Sequence, residues 1–176
     1  MKLLRTIRLD PSDTFIFPAA ATPGDWAISG AFFFSDAEPA TLNAREFAAF
    51  RGGFLGIPSL GWSTLAQIVE VDTAQRRAAI ELVARCLLDR FGAPDLALAR
   101  KAAEEEIDFA TSLCEHPLDT LIAVRRTADH GTIRETFRSL RPRPQSKGLP
   151  VLSFLEAEDE PVETVDLAAL ARGERA

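Results

Sequence analysis

The chain has no tyrosine, a single methionine, two cysteines and two histidines among its 176 residues. Each shortage removes a class of chemistry. The absence of tyrosine, with no nucleic-acid motif and a net charge of −6, argues against a nucleic-acid binder, which stacks bases on aromatics and carries a basic excess. With only His116 and His130 available as imidazoles, and neither beside a G-x-S-x-G elbow, a conventional nucleophile–base pair lacks its base. Cys114, Glu115 and His116 lie close in sequence. Without a C-x-x-C or H-E-x-x-H pair, however, they do not make a metal centre. Cys114 reads as a small core residue and His116 as a charge-compensating group at a helix end. No metal and no cofactor is expected.

Long apolar runs are also missing. The opening MKLLRTIRLD is interrupted by Arg5 and Arg8, so it reads as a strand and not as a signal peptide. The longest uncharged stretch, 52–69, holds four glycines and Pro58 and then alternates like a strand, which rules it out as a membrane span. Cys86 and Cys114 fall in helix-like segments and are not read as a disulfide framework. The expectation is a cytoplasmic protein with neither membrane nor nucleic acid among its partners.

What is present is a core-forming composition, 47% hydrophobic and 26% charged, suited to one domain. Alternation predicts strands at 3–9, 14–17 and 25–34, with Gly30 marking a bulge or a close backbone approach. Asn43 and Glu46 have capping-box spacing before a helix in which Phe47, Phe50 and Phe54 recur at helical spacing, and Gly52 and Gly53 are read as its end. A GIPSLG loop and one strand over 62–71 follow. Two long helices come next. The first is capped by Asp72 or Thr73 and stops at Gly92. The second is opened by Pro94 and runs from 95 to about 115, with Leu96, Ala99, Ala103, Ile107, Ala110 and Cys114 inward. Residues 120–127 read as a strand, and 132–140 fits either a helix or the return strand of a hairpin. The Asp129-His130-Gly131 turn favours the hairpin. The expected fold is α+β, a mostly antiparallel sheet in the order β-β-β-α-β-α-α-β-β with a two-helix layer on one face. The expected organisation is a globular domain over 1–141, a Pro-rich linker over 142–150 and an acidic tail over 151–176.

The charge is unevenly laid out. Residues 124–148 carry a net +5, residues 149–176 a net −5, and the body before them −6. The plain reading is a solvated hairpin and a solubilising tail. The sharper one makes Arg125, Arg126, Arg134, Arg138 and Arg141 a contact surface. The tail's apolar anchor, with Phe154 and Leu155 beside acids, would then dock in cis, across a homodimer or on a protein partner. Glu106 stands on the edge of an apolar helical stripe, where a carboxylate is either paired with an arginine or functionally tuned. With Arg51, Ser59, Trp62 and Ser63 it would line a ligand pocket beside the 51–63 loop.

The segments KLLRTIRLD, AISGAFFF, FRGGFLGIPSLGWSTLAQIVE, FGAPDLALARKAAEEEIDF and IRETFRSLRP together resemble a family of small proteobacterial proteins of unknown function, over roughly residues 1–143. The resemblance brings no catalytic motif to transfer and implies an accessory role. The leading expectation is therefore a non-enzymatic accessory or interaction protein. A small-molecule-binding protein or enzyme with its pocket near Trp62 is the alternative.

Overall fold

Alternating apolar residues begin the chain with strand β1 (Lys2–Ile7), and the first departure from expectation follows at once. Residues predicted as a second strand form a short helix, α1 (Ser12–Ile16). Asp10 accepts the Ser12 amide at 2.7 Å, Pro11 supplies a helix-ready φ, and buried Asp13 accepts the Thr64 hydroxyl at 2.5 Å. Local turn chemistry and a long-range anchor outweigh the apolar pattern there.

In this computed structural model, which describes residues 1–35, 37–129, 131–141, 156–159 and 163–165, the predicted strand over 25–34 is cut short. Strand β2 (Trp26–Ile28) ends before Gly30, whose φ of 74° turns the chain into a 3-10 turn (Ala31–Phe34). A Cβ at Gly30 would lie 2.6 Å from the Leu55 Cβ, so glycine is required both for its backbone angle and for the close approach. The turn gathers Phe32, Phe33 and Phe34 around Trp62 and Phe91 instead of splaying them over two faces. Ring centroids are 5.0 Å apart for Phe32–Phe91 and 5.1 Å for Phe34–Trp62.

Helix α2 (Ala44–Gly52) has the predicted capping box, Asn43 and Glu46 each accepting the other's backbone N–H at 3.0 Å. Phe54, read at helical spacing with Phe47 and Phe50, instead begins β3 (Phe54–Ile57), which takes in the start of the GIPSLG segment read as a loop and reverses into β4 (Trp62–Ser63). Thr64 then separates β4 from β5 (Leu65–Glu70), so the single strand predicted over 62–71 is two, pairing with different neighbours. The buried Ser63 hydroxyl reaches the carbonyls of Ile7 (3.0 Å) and Leu65 (2.8 Å) and holds that break.

Helices α3 (Thr73–Arg90) and α4 (Leu96–Ser112) are capped by Asp72 and Asp95, with Pro94 just outside α4. Helix α4 ends at Ser112, short of 115, and Leu96 is exposed; the other predicted inward residues are buried. Arg76–Asp108 (2.5 Å) and Arg100–Glu81 (2.8 Å) link the two helices on their exposed sides. The segment that fits both templates is a strand: β6 (Leu121–Asp129) and β7 (Thr132–Arg141) form a hairpin in unbroken register from Leu121↔Leu140 to Asp129↔Thr132.

The fold is α+β. Seven strands run in the order β4-β3-β2-β1-β5-β6-β7, every neighbouring pair antiparallel, and curl into a half-barrel. Helix α4 covers β1 and β2 and pairs with α3, while α2 crosses β6. Two tail strands, β8 (Glu156–Asp159) and β9 (Glu163–Val165), pair with the outer edge of β7. The proposed linker over 142–150 lies outside the described residues, as do Phe154 and Leu155.

Gly30→Ala should destabilise the fold by about 2–4 kcal/mol, since it adds a clash to a left-handed backbone. Gly131→Ala has an equally positive φ but nothing within 4 Å of its Cβ, and should cost about 1–2 kcal/mol. Equal shifts of the two urea midpoints would contradict the close-approach argument.

Candidate functional site

Alternation along β6 sends Ile122, Val124 and Arg126 to the core face, and alternation along β7 sends Ile133, Glu135, Phe137 and Ser139 there with them. Arg126 and Glu135 are register partners, each 1% exposed. An isolated charge in such surroundings would cost many kcal/mol, so every donor needs a partner.

The partners are in place. Arg126 Nε donates to Glu135 Oε1 at 2.6 Å. Its Nη1 donates to the carbonyls of Gly53 (2.8 Å), Phe50 (3.0 Å) and Ala49 (3.4 Å), and its Nη2 to the carbonyl of Ser29. Ser29 Oγ donates to Glu135 Oε1 at 2.5 Å and accepts the Ala31 amide at 3.3 Å. The guanidinium thus sits at the C-terminal end of α2, where carbonyls and helix dipole favour a cation. Burial pulls the Arg126 pKa below its ordinary value. The charge of Glu135, its hydrogen bond and then the charge of Glu106 oppose that pull. Glu106, the last of these charges, lies half-buried on α4.

The predicted contact residues separate accordingly. Arg125, Arg134 and Arg138 are exposed on the outer face of the hairpin, with Arg125 opposite Thr136, Arg134 opposite Thr127 and Arg138 opposite Ala123. Arg126 does not join them. Arg141 ends β7, opposite Glu156 of the tail.

The predicted pocket residues stand on different elements. Trp62 is 3% exposed, wedged between Phe33, Phe34 and the close backbones of Gly30 and Gly53. Ser63 is spent on the strand break. Arg51 is exposed in the last turn of α2, and exposed Ser59 accepts the Thr22 amide at 3.3 Å in the β3–β4 turn. Cys114 is buried, and its thiol donates to the Ala110 carbonyl at 3.2 Å. The His116 carbonyl accepts from Lys2 Nζ at 2.5 Å, and His130 lies outside the described residues. Among the described residues no three His, Cys, Asp or Glu side chains cluster to hold a metal ion.

The Arg126–Glu135–Ser29 triad escaped the sequence reading although its signal was present. Ile122-x-Val124-x-Arg126 and Ile133-x-Glu135-x-Phe137 each place a charge on an apolar face, and hairpin register sets the two opposite one another. Ser29 carries no such mark, because the turn at Gly30 delivers it.

Fold and cluster define an α+β half-barrel protein whose fully buried charges serve its own architecture. The chain belongs to a family of unknown function, DUF6505, whose model matches residues 1–155. The match extends past the 143 expected from the sequence resemblance. No curated protein and no solved structure matches the chain.

Replacing one partner alone, as in Arg126→Met or Glu135→Leu, should cost about 3–5 kcal/mol in chemical unfolding. The double variant should recover much of that loss because no charge is stranded. A double variant as unstable as the sum of the singles would show that the pair is not coupled. Ser139 Oγ is buried without a hydrogen-bond partner among the described residues. Ser139→Ala should accordingly be neutral or stabilise by up to about 1 kcal/mol.

Proposed function

We propose that this is a non-enzymatic accessory protein that binds an acidic partner protein through the outer face of the β6–β7 hairpin. The observation carrying this reading is the sorting of cations by strand alternation. Arg126 is withdrawn into the core, and Arg125, Arg134 and Arg138 remain on one solvent-facing surface of a long, regularly paired ribbon. Guanidinium forks held on a rigid sheet suit carboxylates well, because little order is lost when they bind.

The small-molecule reading finds less support. Its central aromatic, Trp62, is enclosed by its own neighbours, and Arg51 and Ser59 belong to different elements. A cytoplasmic setting is in keeping with Cys86 and Cys114 standing as thiols, the first half-buried and the second buried. Among the described residues no helix is long and apolar enough to cross a membrane. A bacterial origin rests on the sequence resemblance alone.

The test is native capture with the full chain and with an Arg125→Glu/Arg134→Glu variant as baits, followed by mass spectrometry. An acidic protein should be retained by the first and reduced at least tenfold with the second. Their unfolding free energies should agree within about 0.5 kcal/mol, as expected for surface positions. A metabolite travelling with both chains, and no protein with either, would overturn the reading.

A further inference from the structure

The long outer edge of β7 is the place where the charge layout and the sheet topology meet. An edge strand offers a row of backbone donors and acceptors that another extended segment can complete. The inner edge of β7 is taken by β6, while among the described residues its outer edge carries only the short strands β8 and β9. Their register is selective. Arg138 faces Asp159 and Arg141 faces Glu156, which puts opposite charges in directly opposed positions on β8. On β9 the complement is absent, because Glu163 holds the register position opposite Glu135, whose carboxylate is already taken by Arg126. The half-barrel through β7 lies within the family match at 1–155, and β8 begins one residue beyond it.

We infer that the outer edge of β7 is a docking strand for an extended acidic segment of a partner protein, and that this chain's own tail occupies it as a displaceable competitor in cis. The inference rests on the accessory-protein reading and names the form of the partner: an acidic β-strand added to the sheet, read by Arg138 at its centre. The tail is tethered through residues 142–155, so it competes at an effective concentration of about millimolar. A partner must therefore pair with more of the ten-residue β7 than the tail does through the four residues of β8 and the three of β9.

The test keeps the chain full-length. A labelled synthetic peptide of residues 156–165 is titrated against the wild-type chain and against a Glu156→Arg/Asp159→Arg variant, in which both opposed pairs become repulsive. The variant should bind the peptide at least tenfold more tightly than wild type. Binding should weaken as salt rises and fall at least fivefold when Arg138→Glu is added. Amides of 133–141 should exchange faster in the variant and regain protection with peptide. Equal affinity for both chains, no binding by either, or indifference to Arg138→Glu would overturn the inference. The broader reading fails separately: capture that still depends on Arg125 and Arg134 while the peptide binds neither chain removes the docking edge and leaves the outer face standing.

Discussion

A guanidinium removed from water must satisfy its donors within the protein, and the arrangement around Arg126 follows from that demand. Its nitrogens reach the end of α2, the residue after β2 and the facing strand β7. In sheet order β2 and β6 are separated by β1 and β5, so one side chain ties together strands that the backbone ladder keeps apart. The half-barrel's curl brings these partners within reach, and the side chain in turn fixes the curl. Ser29 joins the cluster only because Gly30 turns the chain immediately afterwards, and that turn creates the aromatic group around Trp62. Such a cluster is weak evidence for stability compared with an apolar replacement, but it discriminates strongly between arrangements, since any alternative strands a charge.

The elements read correctly from sequence were those written in local chemistry. Asn43 with Glu46 and Asp72 with Gln75 are capping boxes whose two halves lie three residues apart, and Gly131 closes a hairpin whose strands alternate in step. The misread elements depend on distant partners. The helix at 12–16 is held by Asp13 reaching Thr64, and the break at Thr64 by Ser63 reaching Ile7, contacts that no window of sequence contains. The strand predicted to run to Phe34 is a different failure. Its three phenylalanines fit a buried strand, and the φ of Gly30 outweighed them. Of the site residues, Arg126 and Glu135 were legible through parity, whereas Ser29 was legible only through the turn.

The charge arithmetic changes meaning once strand parity is applied to it. Neighbouring residues in β6 point to opposite faces, so Arg125 and Arg126 belong to different environments despite being adjacent. A count of cations over 124–148 therefore mixes a structural charge with surface ones. The same holds for the carboxylates. Glu106 lends its field to the buried arginine, while Asp108, two residues on, makes an exposed pair with Arg76.

On the proposed reading the hairpin has two roles that reinforce one another physically. A docking strand binds well when it is already straight, paired and fixed in register, because its partner then bears most of the ordering cost. The core face of β6–β7 provides this: Arg126 and Glu135 lock the middle of the ribbon to β2 and α2, and Phe137 rests on Phe54 and Phe109 on either side. A one-residue slip of β7 would lift Glu135 away from Arg126 and turn Ile133 and Phe137 outward, so the register that presents Arg134 and Arg138 to solvent is enforced from within. On that reading the exposed arginines recognise a spacing of carboxylates because the buried one forbids the strand beneath them to move.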